Sequence, residues 1–301
     1  MISSKTWPMS LYIEALRRAR LGADEVFVCV LWTIGLVASL IVAIIVAVVV
    51  VSAAPALHEI APWRFVTDAS WHPAHGRFNL LPMIVGTFFV AGGALLLATA
   101  FGLSAAIFCC FYAHRTLAAV YSRTVELLAG IPSVLLGFWG LTVLVPIIAR
   151  LQPPGASTLA AILVLALMVV PTISLVGMTS LHAVPQSLLV GADALAFSKW
   201  STIVKVAIPA AKRGLVSSVI LGAGRALGET MAVLMVSGNI VQVPASVFAP
   251  VRTLAANIAL EIPYAEGLHR SALFVSGLFL TAIVIAMLCC AEWLGSDTMH
   301  E

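Results

Sequence analysis

The sequence predicts an all-α protein that crosses a membrane six times. Of its 301 residues, 61% are hydrophobic and only 10% are charged, and the mean hydropathy is +1.09. Soluble domains carry about 25% charged residues. Six apolar runs also reach the length of about 20 residues that a helix needs to cross the hydrocarbon core. Together these observations predict a polytopic membrane protein without a separate soluble domain.

The six predicted spans follow one another along the chain. They cover residues 26–54, 80–112, 128–149, 158–181, 212–240 and 271–294. The first run is about twice as long as the apolar region of a signal peptide, so we expect a retained span. The predicted division of the chain is an amphipathic N-terminal segment at 1–24, the first span with its outer loop at 25–79, a core transmembrane domain at 80–297 with an inner loop at 182–213, and a tail at 298–301.

The distribution of Lys and Arg predicts which ends of the spans face the cytoplasm. With the amino end inside, ten of these residues fall in inner segments, five fall in outer segments, and Arg225 falls within a span. Cytoplasmic loops of membrane proteins carry the excess of Lys and Arg, so both termini are predicted to be cytoplasmic. The inner set comprises Lys5, Arg17, Arg18, Arg20, Arg115, Arg123, Lys199, Lys205, Lys212 and Arg213, and the outer set Arg64, Arg77, Arg150, Arg252 and Arg270.

Motifs for catalysis and metal binding are missing from the sequence. It contains no Gly-Lys pair and therefore no phosphate-binding loop for ATP. His72 and His75 lie in an outer loop without a carboxylate cluster, and the five cysteines lack zinc spacing. The net charge of +3 is too small to indicate nucleic acid as a partner. We therefore predict no catalytic residue, no metal site and no cofactor bound by this chain.

Two opposite charges lie inside the fifth predicted span, in the string "GAGRALGETMAVLMVSGN" at 222–239. A lone charge in the middle of a bilayer costs at least about 2.5–3.5 kcal/mol. Arg225 and Glu229 are four residues apart, so on a continuous helix their side chains can meet and pair. One interpretation is a structural ion pair. The other is a substrate path, in which Arg225 contacts an oxyanion, Glu229 is its resting partner, and further polar residues extend outward, namely Thr230, Ser237 and Asn239.

The longest inner loop reads "HAVPQSLLVGADALAFSKWSTIVKVAIPAAKRG", residues 182–214. Pro185 suits the start of a short helix. Leu188, Ala192 and Leu195 then fall on one side of that helix at helical spacing. Such a helix either rests on lipid headgroups or places apolar anchors in a groove of a partner.

This loop resembles the coupling loop of binding-protein-dependent ABC importer permeases. The family pattern is Glu-Ala-Ala, three residues, Gly, nine residues and Ile-x-Leu-Pro. Here "VGA" at 190–192 stands for Glu-Ala-Ala and Ala196 stands for the glycine, while the closing residues keep their spacing. The resemblance implies the ABC importer permease fold. It also implies that the loop contacts an ATPase through Leu188, Ala192, Leu195, Ala196, Phe197, Val206 and Pro209.

A narrower resemblance rests on four strings that occur in the family order. "ELLAGIPSVLLGFWGL", "VVPTI", "GRALGETMAVLMVSGN" and "RTLAANIALEI" are similar to phosphate-specific importer permeases of the PstC type. That resemblance implies phosphate import across a bacterial inner membrane, a PstA-like sister permease, two PstB-like ATPases that use ATP, and a PstS-like binding protein outside. The alternatives are a permease for sulfate or molybdate, and a membrane subunit that acts mainly in phosphate-starvation signalling.

Overall fold

The computed structural model describes residues 9–296, which form helices and one small antiparallel ribbon. The helices are α1 (Met9–Glu59), α2 (Arg64–Thr67), α3 (Leu81–Phe111), α4 (Arg115–Ala129), α5 (Ser133–Trp139), α6 (Val145–Leu151), α7 (Thr158–His182), α8 (Gln186–Ala194), α9 (Lys199–Thr202), α10 (Ile208–Gly228), α11 (Met231–Val236), α12 (Leu254–Glu261) and α13 (Gly267–Ser296). The ribbon pairs β1 (Trp71–His72) with β2 (Arg77–Phe78). The predicted N-terminal segment at 1–24 overlaps the start of α1, and the predicted tail at 298–301 lies outside the described residues.

Six helical segments in the described part of the chain are long and apolar enough to cross a membrane, which confirms the predicted class. They are Val26–Glu59, Leu81–Phe111, Ser133–Leu151, Thr158–His182, Lys199–Gly228 and Gly267–Met287. Two of them contain a π-helical turn, Gly140–Leu144 between α5 and α6 and Ile203–Ala207 between α9 and α10. These turns keep each span helical from end to end, although each contains one extra residue.

The fifth span differs from its predicted limits of 212–240. It begins earlier, because the π-helical turn joins α9 to α10 and extends the helix back to Lys199. It also ends earlier, because the backbone of Glu229 is extended, with φ −72° and ψ 124°, immediately after Gly228. Arg225 therefore lies in the last turn of this span and not in its middle.

The chain divides into two units, one up to Ser52 and one from Ala53 onward. In the first unit, the described side chains of α1 are almost all exposed, and they are apolar, as a lipid-facing helix requires. In the second unit, α7 is the most buried span and packs against α3, α4, α5, α10 and α11.

Glycines let two helices approach α7 at the same residue. A Cβ atom on Gly102 of α3 would lie 2.9 Å from Ile173 Cγ2, and one on Gly222 of α10 would lie 2.8 Å from Ile173 Cγ1. Small residues at helix contacts are typical of membrane bundles, in which packing and not the hydrophobic effect holds helices together. Ile173 therefore fills the space that the two glycines leave.

The ribbon lies over a cluster of buried apolar side chains, at the end of the bundle opposite to α8. Phe65, Trp71 and Phe78 are buried there against residues of α12 and α13. Asp68 holds the ribbon to α2, since its carboxylate accepts two bonds from Arg64 at 3.1 Å and one from the Phe78 backbone N–H at 2.9 Å. Desolvation raises the pKa of Asp68, but the bonds from Arg64 and Phe78 outweigh it and hold the pKa below its usual value.

Candidate translocation and coupling sites

The fifth span breaks just after its charged string. α10 ends at Gly228, the chain is non-helical at Glu229 and Thr230, and α11 begins at Met231. The Glu229 carboxylate Oε1 accepts a hydrogen bond from the Ala232 backbone N–H at 3.2 Å, and the Thr230 hydroxyl donates to the Gly228 carbonyl at 3.3 Å. These two side chains therefore satisfy backbone groups that the break leaves without helical partners.

The predicted ion pair between Arg225 and Glu229 is wrong. Their pairing required a continuous helix, and the extended backbone at Glu229 turns its carboxylate toward α11 instead. Among the described residues, the ion pairs are Arg64–Asp68, Arg252–Glu261 and His269–Glu261. Within that same part of the chain, the partly exposed guanidinium of Arg225 has neither an ion pair nor a hydrogen bond.

The predicted polar stripe does not continue beyond Thr230. Ser237 is wholly buried, and its hydroxyl donates to the Asn239 side-chain oxygen at 3.2 Å. The Asn239 amide donates to the Leu234 carbonyl at 2.6 Å, and Asn239 has a φ of +53° that Asn tolerates better than most residues. Ser237 and Asn239 therefore shape the turn that follows α11, and their side chains are engaged there with each other and with the backbone.

The position of α11 depends on a close contact with α5. A Cβ atom on Gly137 would lie 2.8 Å from the Ala232 Cα atom and 3.1 Å from the Met235 sulfur. The neighbouring Gly140 is similarly close to α11, at 3.0 Å from Val236 Cγ1. The third span therefore packs closely against α11, because Gly137 and Gly140 have no side chain that would keep the two helices apart.

Arg252 organises the chain beyond α11, a role that its predicted place among the outer charges did not indicate. Its Nε donates to the Asn239 carbonyl at 2.9 Å, and its Nη1 donates to Asn257 Oδ1 at 3.1 Å and to Glu261 Oε1 at 2.6 Å. The other oxygen of Glu261 is 2.8 Å from Trp71 Nε1 and 2.9 Å from His269 Nε2. The string "RTLAANIALEI" carries Arg, Asn and Glu together, which is the signal that could have indicated this cluster.

The loop at 182–213 contains α8, and a left-handed residue ends that helix. Ala196 has a φ of +57°. Its N–H donates to the Asp193 carbonyl at 2.9 Å, and the Phe197 N–H donates to the Ala192 carbonyl at 3.1 Å. This pair of bonds is the Schellman arrangement, in which glycine is the preferred left-handed residue. Ala196, which stands where the family pattern has a glycine, therefore adopts a backbone conformation that favours glycine.

The exposed side of α8 carries some of the predicted contact residues but not all of them. Leu195 is 72% exposed, and Leu188 and Phe197 are also exposed. Ala192 is only 4% exposed, so it offers a partner much less surface than Leu188 and Leu195 do. Leu189 also lies on the inner side of α8, where it packs against buried residues of α3, α7 and α10. Further along, Val206 is partly buried and Pro209 is exposed.

Comparison with known proteins gives the family. Residues 98–296 match the binding-protein-dependent transport system inner membrane components. The chain belongs to this family. It is 36% identical over 246 residues to the probable ABC transporter permease protein YqgH of Bacillus subtilis, which covers 80% of each chain. It is also 36% identical over 245 residues to the phosphate transport system permease protein PstC of Haemophilus influenzae, over 74% of this chain and 78% of that one.

Solved structures of ABC transporters share the fold of this permease. An inward-facing MetNI methionine ABC transporter matches with a TM-score of 0.59 at 17% identity, over 71% of this chain and 94% of that one. A bacterial alginate ABC transporter matches with a TM-score of 0.59 at 12% identity, over 80% and 87% of the two chains. The chain is therefore a multi-pass inner-membrane permease, a component of an ABC transporter.

We expect Ala196→Gly to stabilise the permease by about 0.5–1 kcal/mol. A left-handed conformation costs an L-residue about 1–2 kcal/mol, and glycine escapes that cost but loses about 0.5–1 kcal/mol of chain entropy. Thermal unfolding in detergent would show the gain as a higher midpoint. The control is Ala194→Gly in the last turn of α8, which should lower the midpoint. A lower midpoint for both variants would contradict the left-handed role of Ala196.

Proposed function

We propose that this permease is one of two membrane subunits of an ATP-driven phosphate importer. The observation that carries the proposal is the partly exposed guanidinium of Arg225, beside the break in the fifth span and without a partner among the described residues. Relatives that are 34–36% identical over about three quarters of the chain are phosphate permeases of the PstC type, which supports phosphate as the substrate.

The break provides the chemistry that an oxyanion path needs. Transporters form substrate sites from interrupted helices, because the interruption brings polar groups to membrane depth where they line a cavity. Arg225 presents a planar guanidinium that can bind two phosphate oxygens at once. Glu229 repels the anion nearby, and we infer that this repulsion prevents phosphate from being held too tightly. Thr230 adds a hydroxyl next to Glu229 at the same break.

We assign each proposed partner to one of the two ends of the bundle. We infer that both termini and α8 lie on the cytoplasmic side, where Leu188, Leu195 and Phe197 contact a groove in one of two PstB-like ATPases. A PstA-like sister permease completes the path, and a PstS-like binding protein delivers phosphate to the outer side, where the β1–β2 ribbon lies. ATP is bound and hydrolysed by the ATPases, and this chain binds no cofactor of its own.

The alternative substrates are other tetrahedral oxyanions, because a guanidinium also fits sulfate or molybdate. The test is uptake of radiolabelled phosphate by proteoliposomes that contain this permease with its sister permease, ATPases and binding protein. We expect ATP-dependent uptake that arsenate inhibits and that sulfate and molybdate do not. Uptake inhibited by sulfate or molybdate would reassign the substrate. A complex that carries none of these anions, in a strain whose starvation response depends on the chain, would favour the signalling function instead.

A further inference from the structure

One contact joins the coupling loop directly to the end of the second span. The Lys199 Nζ atom lies 5.4 Å from the centroid of the Tyr112 ring. Tyr112 is the first residue after α3, and Lys199 is the first residue of α9, where the fifth span begins. An ammonium within about 6 Å of an aromatic ring face is attracted by the ring quadrupole. The contact therefore ties the ends of two spans together on the side of the bundle that carries α8.

The position of Lys199 in its own helix gives no reason for a positive charge. The N-terminus of a helix carries partial positive charge, and a cation there is disfavoured. The Ser198 hydroxyl already caps this end, since it accepts the Ser201 N–H at 3.3 Å. Lys199 is exposed, and the contact that the structure gives its ammonium is the Tyr112 ring.

The contact lies on the route from the ATPase side to the spans. α8 ends at Ala194, the chain turns at Ala196, and Lys199 follows three residues later. A displacement of α8 would reach Lys199 through this short turn, and from Lys199 it would reach α9 by the chain and α3 by the Tyr112 ring. α3 in turn packs along α7, where Gly102 touches Ile173.

We propose that Tyr112 is a positioning residue that couples α3 to the movement of α8. Its ring holds Lys199, so that a displacement of α8 by the ATPases moves the second and fifth spans together. This inference rests on the proposed importer function. A different reading is that Tyr112 only anchors the chain at the lipid interface, as Tyr often does, and that reading gives Lys199 no role.

The experiment measures ATP hydrolysed per phosphate imported, in proteoliposomes that contain the complete complex. We expect Tyr112→Leu and Lys199→Met each to raise this ratio by about twofold to fivefold, because an exposed cation–π contact is lost. Tyr112→Phe keeps the ring and should leave the ratio unchanged. The double variant Tyr112→Leu/Lys199→Met should match either single variant. Lys212→Met removes an exposed lysine of α10 and controls for loss of charge alone.

The outcomes separate this inference from the proposed function. An unchanged ratio in Tyr112→Leu and Lys199→Met, with normal amounts of assembled complex, would overturn the role of the contact. So would an effect of Tyr112→Leu without an effect of Lys199→Met, which is the interfacial-anchor result. If Tyr112→Leu fails to assemble, Lys199→Met and Lys199→Arg provide the comparison, with only the first expected to raise the ratio. A native complex that imports no phosphate would instead contradict the proposed function.

Discussion

Arg225→Gln is expected to abolish phosphate uptake while the permease remains assembled in the membrane. On the proposed path, the change removes two charge-assisted hydrogen bonds to phosphate, each of about 1.5–3 kcal/mol, so we expect uptake to fall about 100-fold or more. Because Arg225 forms no ion pair among the described residues, its replacement leaves no buried carboxylate without a partner, and the permease should still assemble. The measurement is radiolabelled phosphate uptake together with the amount of permease in the membrane. Arg225→Lys keeps the charge but loses the bidentate geometry, and it should be intermediate.

The matching changes at Glu229 test whether its charge acts on the proposed path. Glu229→Gln keeps an oxygen that can accept the Ala232 N–H, so α11 should persist. Phosphate should still bind, but without repulsion from Glu229 its release should slow. The double variant Arg225→Gln/Glu229→Gln should assemble fully and carry no phosphate. Native uptake by the double variant would exclude the path.

Gly137→Val is expected to reduce phosphate uptake by displacing α11. Its new Cβ atom would lie 2.8 Å from the Ala232 Cα atom, which belongs to the backbone and cannot turn aside as a side chain can. Overpacking of this kind costs about 1–3 kcal/mol, which corresponds to about a fivefold to 150-fold loss of the native arrangement. Uptake per assembled complex is the measurement, since the break at Glu229 and Thr230 moves with α11.

Gly92→Val is the matched control for this prediction. Gly92 also lies within a span, in α3, but a Cβ atom there would have no neighbour within 4 Å in this chain. Both substitutions change helix propensity by the same amount, so the difference between them reports the contact with α11. Equal losses in the two variants would show that Gly137 has no special role in holding α11.

The sequence alone determined the architecture of this permease. The number of spans could be predicted because a bilayer sets the length of each apolar run, and because only a helix satisfies its own backbone there. The left-handed end of α8 could also be anticipated, because spacing alone aligned Ala196 with a family glycine. Both features are local: each depends on residues that are close together in the chain.

The tertiary structure decided how the site is built. Continuity of the helix through Arg225 and Glu229 was a reasonable expectation from sequence, since no Pro marks the break. The chain nevertheless leaves the helix at Glu229, and α11 packs against Gly137, about 95 residues earlier, at a distance that only glycine permits. Trp71 and Glu261 are 190 residues apart and form one hydrogen bond. Such contacts could not be predicted, because packing brings together residues that no periodicity in the sequence relates.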